Sequence, residues 1–489
     1  MNENAATTMG LTAERLDHYI GGSLRKPHSG RYLPNQDPKT GKAIATVAAG
    51  DAQDVAAAVD AASAAFPAWR DVRPIVRGRV LLAIAAKIRE TRQALATIES
   101  EETGKPLWQS LADIEVAAQY FEFYGGMVNA LHGETIDLGA AYHSFTRREP
   151  FGVVGVILPW NVPINQAARG IAPALAAGNT VVAKPSEKTP STLVALARIA
   201  VEACELPAGV LNVVLGDGAS AGSALVEHPD VRKIAFTGSV RAGREVGRVA
   251  AERIIPVTLE LGGKSPNIIF EDADLARAIP NSAWVFTFNA GQTCSAGTRC
   301  LVHESIHDEV AEGLAREVRK LTVGPEEDAR IGPLTTEAQY RKVQHYYQVA
   351  REDGATALVG GSLPEEERLK AGWFVAPTIY TGVDNSMRIA REEVFGPVVT
   401  VIPFKDEAEA IAIANDTDYG LVATVWTQNL SRALRVSSAL QAGQVAVNEC
   451  LAGGVETPFG GYKQSGHGRE KGVEALHHYT QLKCVTIRV

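Results

Sequence analysis

The sequence predicts an α/β protein built from two doubly wound parallel-sheet domains and a small β arm. Three observations carry this expectation. Apolar, β-branched strands alternate with helical stretches from 151 to 261, the pattern of a parallel sheet covered on both faces. A second alternating region runs from 266 to about 457. A polar stretch, 134–149, interrupts the first domain ahead of the first pattern, and the chain ends on another strand-like piece, 482–489.

Residues 51–100 read as helices, because DAQDVAAAVDAASAAFPAW and VRGRVLLAIAAKIRETRQALATIE place apolar residues at three- and four-residue spacing. ETIDLGAAYHSFTRRE reads as a polar hairpin, either a surface loop or an arm between subunits. The arm is preferred because LKCVTIRV supplies a further strand. The first region offers the strands FGVVGVILPW, NTVVAKP, VLNVVLG, VRKIAFTG and IPVTLELGG, separated by helices such as STLVALARIAVEACEL and VRAGREVGRVAAER. Ligands of such sheets bind beyond the carboxyl ends of the strands, which singles out the residues just after each one. The second region offers VVTVIPF, LVATVWT and QVAVN with the helix DEAEAIAIAND, and PFGGYKQSGHGRE then forms a Gly-rich loop. The expected division is 1–133 with 150–260, then 261–457, and an arm of 134–149 with 458–489.

At 489 residues the chain exceeds a single core. A net charge of −8 argues against a nucleic-acid surface. Five cysteines without a CxxC pair suit a reducing compartment. The first fifteen residues lack a basic start followed by an apolar run, and no apolar run approaches the roughly 18 residues of a membrane span. A cytoplasmic protein with no nucleic-acid or membrane partner is expected.

The stretch FNAGQTCSAGT (288–298) sets Cys294 among small and polar residues, with Gly291 and Gly297 three positions to either side. Glycines let backbone N–H groups come close to a substrate. A structural cysteine more often sits in an apolar run. Locally the residue reads either as a nucleophile or as a plain buried thiol.

Six further segments decide between them: Pro159-Trp160-Asn161, Lys184-Pro185-Ser186-Glu187, Phe236-Thr237-Gly238-Ser239, Leu259-Glu260-Leu261-Gly262-Gly263, Glu393-Val394-Phe395-Gly396-Pro397 and Pro458-Phe459-Gly460-Gly461. In this order, over roughly residues 20 to 489, they resemble the aldehyde dehydrogenase superfamily, in its NAD(P)-dependent hydrolytic form. The resemblance implies a cofactor domain at 1–133 and 150–260, a catalytic domain at 261–457, and a homodimer or homotetramer. A thiolate adds to an aldehyde carbonyl and forms a covalent thiohemiacetal whose oxyanion needs preorganised donors. The resemblance gives that role to the Asn161 amide and the Cys294 N–H. Loss of hydride leaves a thioester for water to cleave, with Glu260 as general base. Apolar neighbours in LELGG would raise the Glu260 pKa; the alternative is a solvated carboxylate at a strand end. Glu470 is a second candidate proton carrier.

The resemblance further implies NAD as cofactor, with NADP possible. Lys184 and Glu187 would grip the adenosine ribose, where a carboxylate repels a 2′-phosphate. Ser239 opens a helix whose N-terminus suits a pyrophosphate. Glu393 would hold the nicotinamide ribose with Phe395 near the ring. Ile157, Trp160, Ser186, Gly218, Phe236, Gly238 and Leu261 complete the set. No GxGxxG follows the first strand, so the turn is a variant one.

For the substrate the resemblance points to Val162, Arg169, Phe288, Thr293, Ser295, Gly453 and Phe459. Arg169 stands where semialdehyde dehydrogenases place a carboxylate-binding arginine, and its planar fork matches a carboxylate. Pairing with a neighbouring acid is the equal alternative. Phe288 replaces a second arginine of the succinate semialdehyde enzyme, Gly170 replaces a usual lysine, and Gly453 with Gly454 suggests a wide mouth. A medium or bulky aldehyde with a polar or anionic group is expected, with a succinate-semialdehyde-type enzyme as the alternative.

Two motifs are set aside. His303-Glu304-Ser305-Ile306-His307 fits HExxH, but Ser305 with Asp308 reads as a capping box that leaves His303 outside the helix. Gly263-Lys264-Ser265 lacks the phosphate-loop glycine at 258, where Thr258 stands. No metal site is expected. Among rival readings, coenzyme-A-acylating relatives generally lack the glutamate found at 260. A cofactor-independent thiol esterase would not need Lys184, Glu187 or Ser239, and a structural relative would need neither Cys294 nor Glu260.

Overall fold

The runs of Val, Ile and Ala in the first alternating region become strands buried on both faces. In chain order they are β1 (Val153–Ile157), β2 (Thr180–Lys184), β3 (Leu211–Val213), β4 (Val231–Thr237) and β5 (Val257–Glu260). They lie parallel in the spatial order β5-β4-β1-β2-β3. The order reverses between β1 and β4, and such a switch point opens a crevice beyond the carboxyl ends. The register sets Lys184 beside Ile157, Ile157 beside Phe236, and Thr237 beside Glu260 along that rim. A computed structural model describes residues 15–326 and 328–489. The segment inspected for a leader lies outside them up to residue 14.

The second sheet holds β6 (Pro266–Ile269), β7 (Arg299–His303), β8 (Thr378–Thr381), β9 (Val398–Phe404), β10 (Val422–Trp426) and β11 (Gln444–Val447), all parallel, in the order β8-β9-β7-β6-β10-β11. Thr356–Val359 adds an antiparallel edge to β8. Helices Ala52–Asp71, Pro74–Glu90, Arg92–Thr103 and Leu107–Met127 follow the expected periodicity and pack with the first sheet's core. Among the described residues, no helix is long and apolar enough to cross a membrane.

Two expectations are corrected, and one segment had drawn no expectation. Residues 15–48 form short strands, and His18–Ile20 with Ser23–Arg25 extends the first sheet antiparallel to β3. Their polar sequences carry no alternation strong enough to announce them. Residues 458–479 do not belong to the arm: Gly466–His467 pairs antiparallel with β5, and Phe459 and Glu470 exchange backbone hydrogen bonds of 2.7 Å. Only Thr480–Arg488 joins Tyr142–Pro150 and Thr135–Ile136 in the three-stranded arm. The capping box at Ser305 does not form, because a tight turn over Glu304–Ile306 moves the helix start to His307. The His303 imidazole takes the Ser305 N–H instead, at 3.3 Å.

Arg299, at the start of β7, ties the two sheets' connection together. Its buried guanidinium donates to Lys264 O (2.9 Å), Ile413 O (2.9 Å), Ala414 O (2.8 Å) and Asn385 Oδ1 (3.0 Å). Burial pulls its pKa down to about 10, yet it keeps its charge at neutral pH. Arg299→Met strands these acceptors, at about 3 kcal/mol or more. A clear fall in the thermal midpoint is expected, against an unchanged one for the exposed control Arg341→Met.

Candidate active site

Cys294 lies where two openings meet. One, about 680 Å³, sits at the switch point and is lined by Trp160, Gly238, Ser239, Leu261, Glu393 and Phe395. The other, about 930 Å³, is lined by Val162, Arg169, Phe288, Thr293, Ser295, Gly453 and Phe459. Cys294 and Asn161 line both, and Glu260 lines the first.

The helix Leu275–Thr287 ends before the cysteine loop, and Asn289, Ala290 and Gly291 then take φ of 51°, 52° and 71°. A Cβ on Gly291 would overlap the Gly396 carbonyl, so only glycine fits there. The Gln292 side chain braces the turn: Nε2 donates to Asn289 O (3.0 Å) and Oε1 accepts from Thr335 N (2.9 Å). Asn161, just past β1, is locked to this loop. Its Nδ2 donates to Gln292 O (2.9 Å), and its own carbonyl accepts from Asn289 Nδ2 (3.0 Å).

The helix Pro163–Ala176 that follows Asn161 is seated by buried charges. Glu99 accepts from Ile164 N (3.2 Å), Asp113 accepts from Asn165 Nδ2 (3.1 Å), and Lys105 bridges Glu99 and Asp113 at 3.3 Å and 2.8 Å. Glu99 and Asp113 come from helices and Lys105 from the turn between them, more than 45 positions upstream, and nothing in the local sequence announced them.

Electrostatics sets the protonation states. Burial pushes the Cys294 thiol up to about 11, and Arg169 opposes that rise. Neither Glu260 oxygen has a hydrogen-bond partner among the described residues. Burial and then the Glu470 charge hold the Glu260 pKa well above the usual carboxylate range, while Arg169 works against them. Glu260 is thus the desolvated carboxyl expected from LELGG, not a solvated strand end.

Glu470 lines neither opening. It is buried behind the cavity wall, with its Oε2 against Arg169 Nε in an ion pair. Arg169 therefore meets a neighbouring acid, the second of its two alternatives, and its guanidinium also stacks 5.2 Å from the Phe459 ring centroid. On the cofactor side, Ile157, Lys184, Ser186, Glu187, Gly218 and Phe236 stand outside the 680 Å³ opening. Lys184 still ends β2 on the same rim, buried and with its pKa lowered by burial, within electrostatic reach of Glu187 and Asp217. Ser239 caps the helix Val240–Glu252, its Oγ accepting from Ala242 N at 3.3 Å. Glu393 accepts from Gly263 N (3.0 Å), and a side chain at Gly262 would strike its carboxylate. Phe395 meets Trp160 edge-on at 5.5 Å.

Several wall residues gave no sequence signal. Gln339 and Lys342, on the helix Glu337–Glu352, close the first opening from the second domain. Lys471 lines the second opening at φ 60° and ψ 170°, a region almost confined to glycine that costs other residues about 1–3 kcal/mol. An exposed-looking GREKG run hides both facts. His303 ends β7, and His307 opens the next helix beside Asp308, so they sit on different elements.

A crevice at a switch point that meets a second entrance at a half-buried thiol and a desolvated carboxyl is the arrangement of an oxidoreductase that holds a nucleotide beside its substrate. The chain belongs to the aldehyde dehydrogenase family, whose sequence pattern matches residues 25–485. It is 44% identical over 473 residues to a betaine aldehyde dehydrogenase of Mesorhizobium japonicum, covering 96% of each chain. Among solved structures it superposes on Staphylococcus aureus betaine aldehyde dehydrogenase, in complex with NAD+ and with a BME-modified cysteine, at TM-score 0.94 and 40% identity, over 96% of this chain and 97% of that one. It superposes equally on Pseudomonas syringae AldA, an indole-3-acetaldehyde dehydrogenase mutant in complex with NAD+ and IAA, at TM-score 0.95 and 39% identity, over 97% and 96%.

The raised Glu260 pKa has a stability consequence of defined sign. The folded state holds its proton to higher pH than the unfolded chain does, so this group costs stability increasingly as pH rises from the unfolded carboxylate value towards the folded one. Glu260→Gln is expected to raise the thermal midpoint at pH 8, with the gain shrinking as pH falls towards 5. A gain that grows on acidification would contradict this.

Proposed function

We propose that this enzyme oxidises an aldehyde to the carboxylic acid with NAD as acceptor, through a thiohemiacetal and then a thioester on Cys294. The observation that carries the reading is the position of Cys294 on the wall of both openings, with Glu260 on the wall of one. A substrate entering by Val162 and Phe288 would reach the sulfur from one opening, and Glu393 and Phe395 would hold a nicotinamide in the other.

The crevice fits a dinucleotide. It lies at the switch point, the capped helix N-terminus at Ser239 suits a pyrophosphate, Glu393 on its wall is an acceptor for ribose hydroxyls, and Glu187, outside that wall but beside Lys184 on the same rim, would accept from a ribose that extends past it. The Glu187 carboxylate favours NAD over NADP, since it would repel a 2′-phosphate. NAD, when bound, supplies the acceptor for the hydride expelled as the thiohemiacetal becomes the thioester. The protein does the rest. The Cys294 thiol releases its proton to solvent, a loss that burial opposes and the Arg169 charge assists, and Sγ attacks the carbonyl carbon. Asn161 spends one amide N–H on Gln292 O and keeps the other for the oxyanion, alongside the Cys294 N–H. Glu260 then accepts a proton from the water that attacks the thioester, the C–S bond breaks, and the thiol is regenerated. Glu470 serves by holding Arg169 and by raising the Glu260 pKa, not as a carrier open to the cavity.

The wide mouth at Gly453 and Gly454 and the Phe288 ring on the wall, backed by Trp284 at 5.3 Å, support a medium or bulky aldehyde with a polar or anionic group. With Arg169 committed to Glu470, a clamp for a short diacid semialdehyde is the weaker alternative. An NAD-independent thiol esterase would leave the first opening without a purpose.

A panel of aliphatic, aromatic and acidic aldehydes tests the reading by NADH absorbance. Cys294→Ala should abolish turnover. Glu260→Gln should lower steady-state turnover by about 10²-fold or more while leaving a burst of NADH, because the thioester forms but is not hydrolysed. Ester cleavage without any NADH would favour the esterase. The arm's outer strand, Thr480–Arg488, is an unpaired edge carrying exposed Leu482 and Ile487, which supports strand pairing or docking with a second subunit. Truncation after residue 481 should lower the assembly state in light scattering; an unchanged mass would remove the arm from the interface.

A further inference from the structure

Three charged side chains line the substrate opening: Asp113, Arg169 and Lys471. Two are already engaged. Asp113 is ion-paired with Lys105 at 2.8 Å, and Arg169 is paired with Glu470. Lys471 Nζ makes no hydrogen bond or ion pair among the described residues. Its recorded contact is the face of Phe459, 5.2 Å from the ring centroid. Cys294 packs against the cluster of Leu421, Val422 and Phe459, and Cys294, Phe459 and Lys471 line the same opening. Burial draws the lysine down to about 8, helped by Arg169 and opposed by Cys294, Glu470 and Glu260, so it remains charged at neutral pH.

The backbone holds this lysine against its own preference. At φ 60° and ψ 170° a glycine would be unstrained. Both neighbours are fixed: Glu470 is paired with Phe459, Gly472 N donates to Val455 O (2.8 Å), and Tyr124 Oη donates to Gly472 O (3.0 Å). The side chain lies along the cavity wall. An unpaired cation held there, with a desolvated approach, seeks an anion.

We propose that Lys471 is a specificity-determining residue whose ammonium binds the distal carboxylate of an ω-carboxylated aldehyde while the aldehyde carbon rests against Cys294. This deepens the oxidation reading above and rests on it. It also disfavours the quaternary ammonium aldehyde named for the betaine aldehyde relatives, since that cation would face Lys471 with no acid free to receive it.

NADH formation is measured for wild type, Lys471→Met, Lys471→Arg and Lys471→Gly with adipate semialdehyde, with hexanal as the neutral aldehyde of equal carbon count, and with betaine aldehyde. Wild type is expected to prefer adipate semialdehyde. Lys471→Met and Lys471→Gly should raise its KM by about tenfold or more, with kcat and both hexanal constants within about twofold. Lys471→Arg should restore most of the preference. Lys471→Gly should keep or raise the thermal midpoint, which separates lost recognition from unfolding. Betaine aldehyde should be poor for wild type and improve in Lys471→Met. Equal losses for adipate semialdehyde and hexanal would overturn the proposal and leave Lys471 a positioning residue for the Phe459–Glu470 pair. A Lys471→Met enzyme that keeps its anion preference would overturn it in favour of Arg169. NADH from no aldehyde at all would sink the oxidation reading itself.

Discussion

A reciprocal pair of hydrogen bonds across the domain boundary holds the site together. Asn161 gives an amide N–H to Gln292 O, and Asn289 gives one to Asn161 O, at 2.9 Å and 3.0 Å. One partner ends a strand of the first sheet, and the others carry the thiol on a loop of the second. Each sheet alone offers an open rim. Joined by these bonds, the two rims enclose Cys294 between a crevice and an entrance. The left-handed turn at Asn289–Gly291 is tolerated because the bonds, and the Gln292 brace to Thr335, over-determine it.

Enclosure then dictates the chemistry of the charged groups. Burial raises the Cys294 thiol and the Glu260 carboxyl together, which would leave both protonated and idle. Arg169 counters both shifts, and Glu470 neutralises most of the cost of burying Arg169. Four residues from β5, the helix after β1, the cysteine loop and the C-terminal segment thus form one electrostatic unit. Changing any one of them changes the proton affinity of the others.

The periodic parts of the fold were legible. Five strands of the first sheet and several of the second were readable from β-branched runs, and the helices from three- and four-residue spacing, since both are local consequences of the sequence. The strands within residues 15–48 were not, because they complete sheets as edges and take their order from β3 and from one another. Nor was the path of 458–479, whose Gly-rich loop returns to β5. Glycine runs report freedom, not destination.

The same division holds for the site. The sequence by itself determined the candidate groups, through six segments that resemble one family: a thiol among glycines, an amide after the first strand, and a carboxyl at the end of the fifth, each at a strand-end or loop position that a parallel sheet turns towards ligands. Tertiary structure decided their partners. That Arg169 meets Glu470, that Gln339 and Lys342 close the crevice, and that Lys471 faces the cavity unpaired all depend on contacts between residues up to about three hundred positions apart. Such contacts follow from how sheets and loops pack against one another, and side-chain periodicity along a segment carries no record of them.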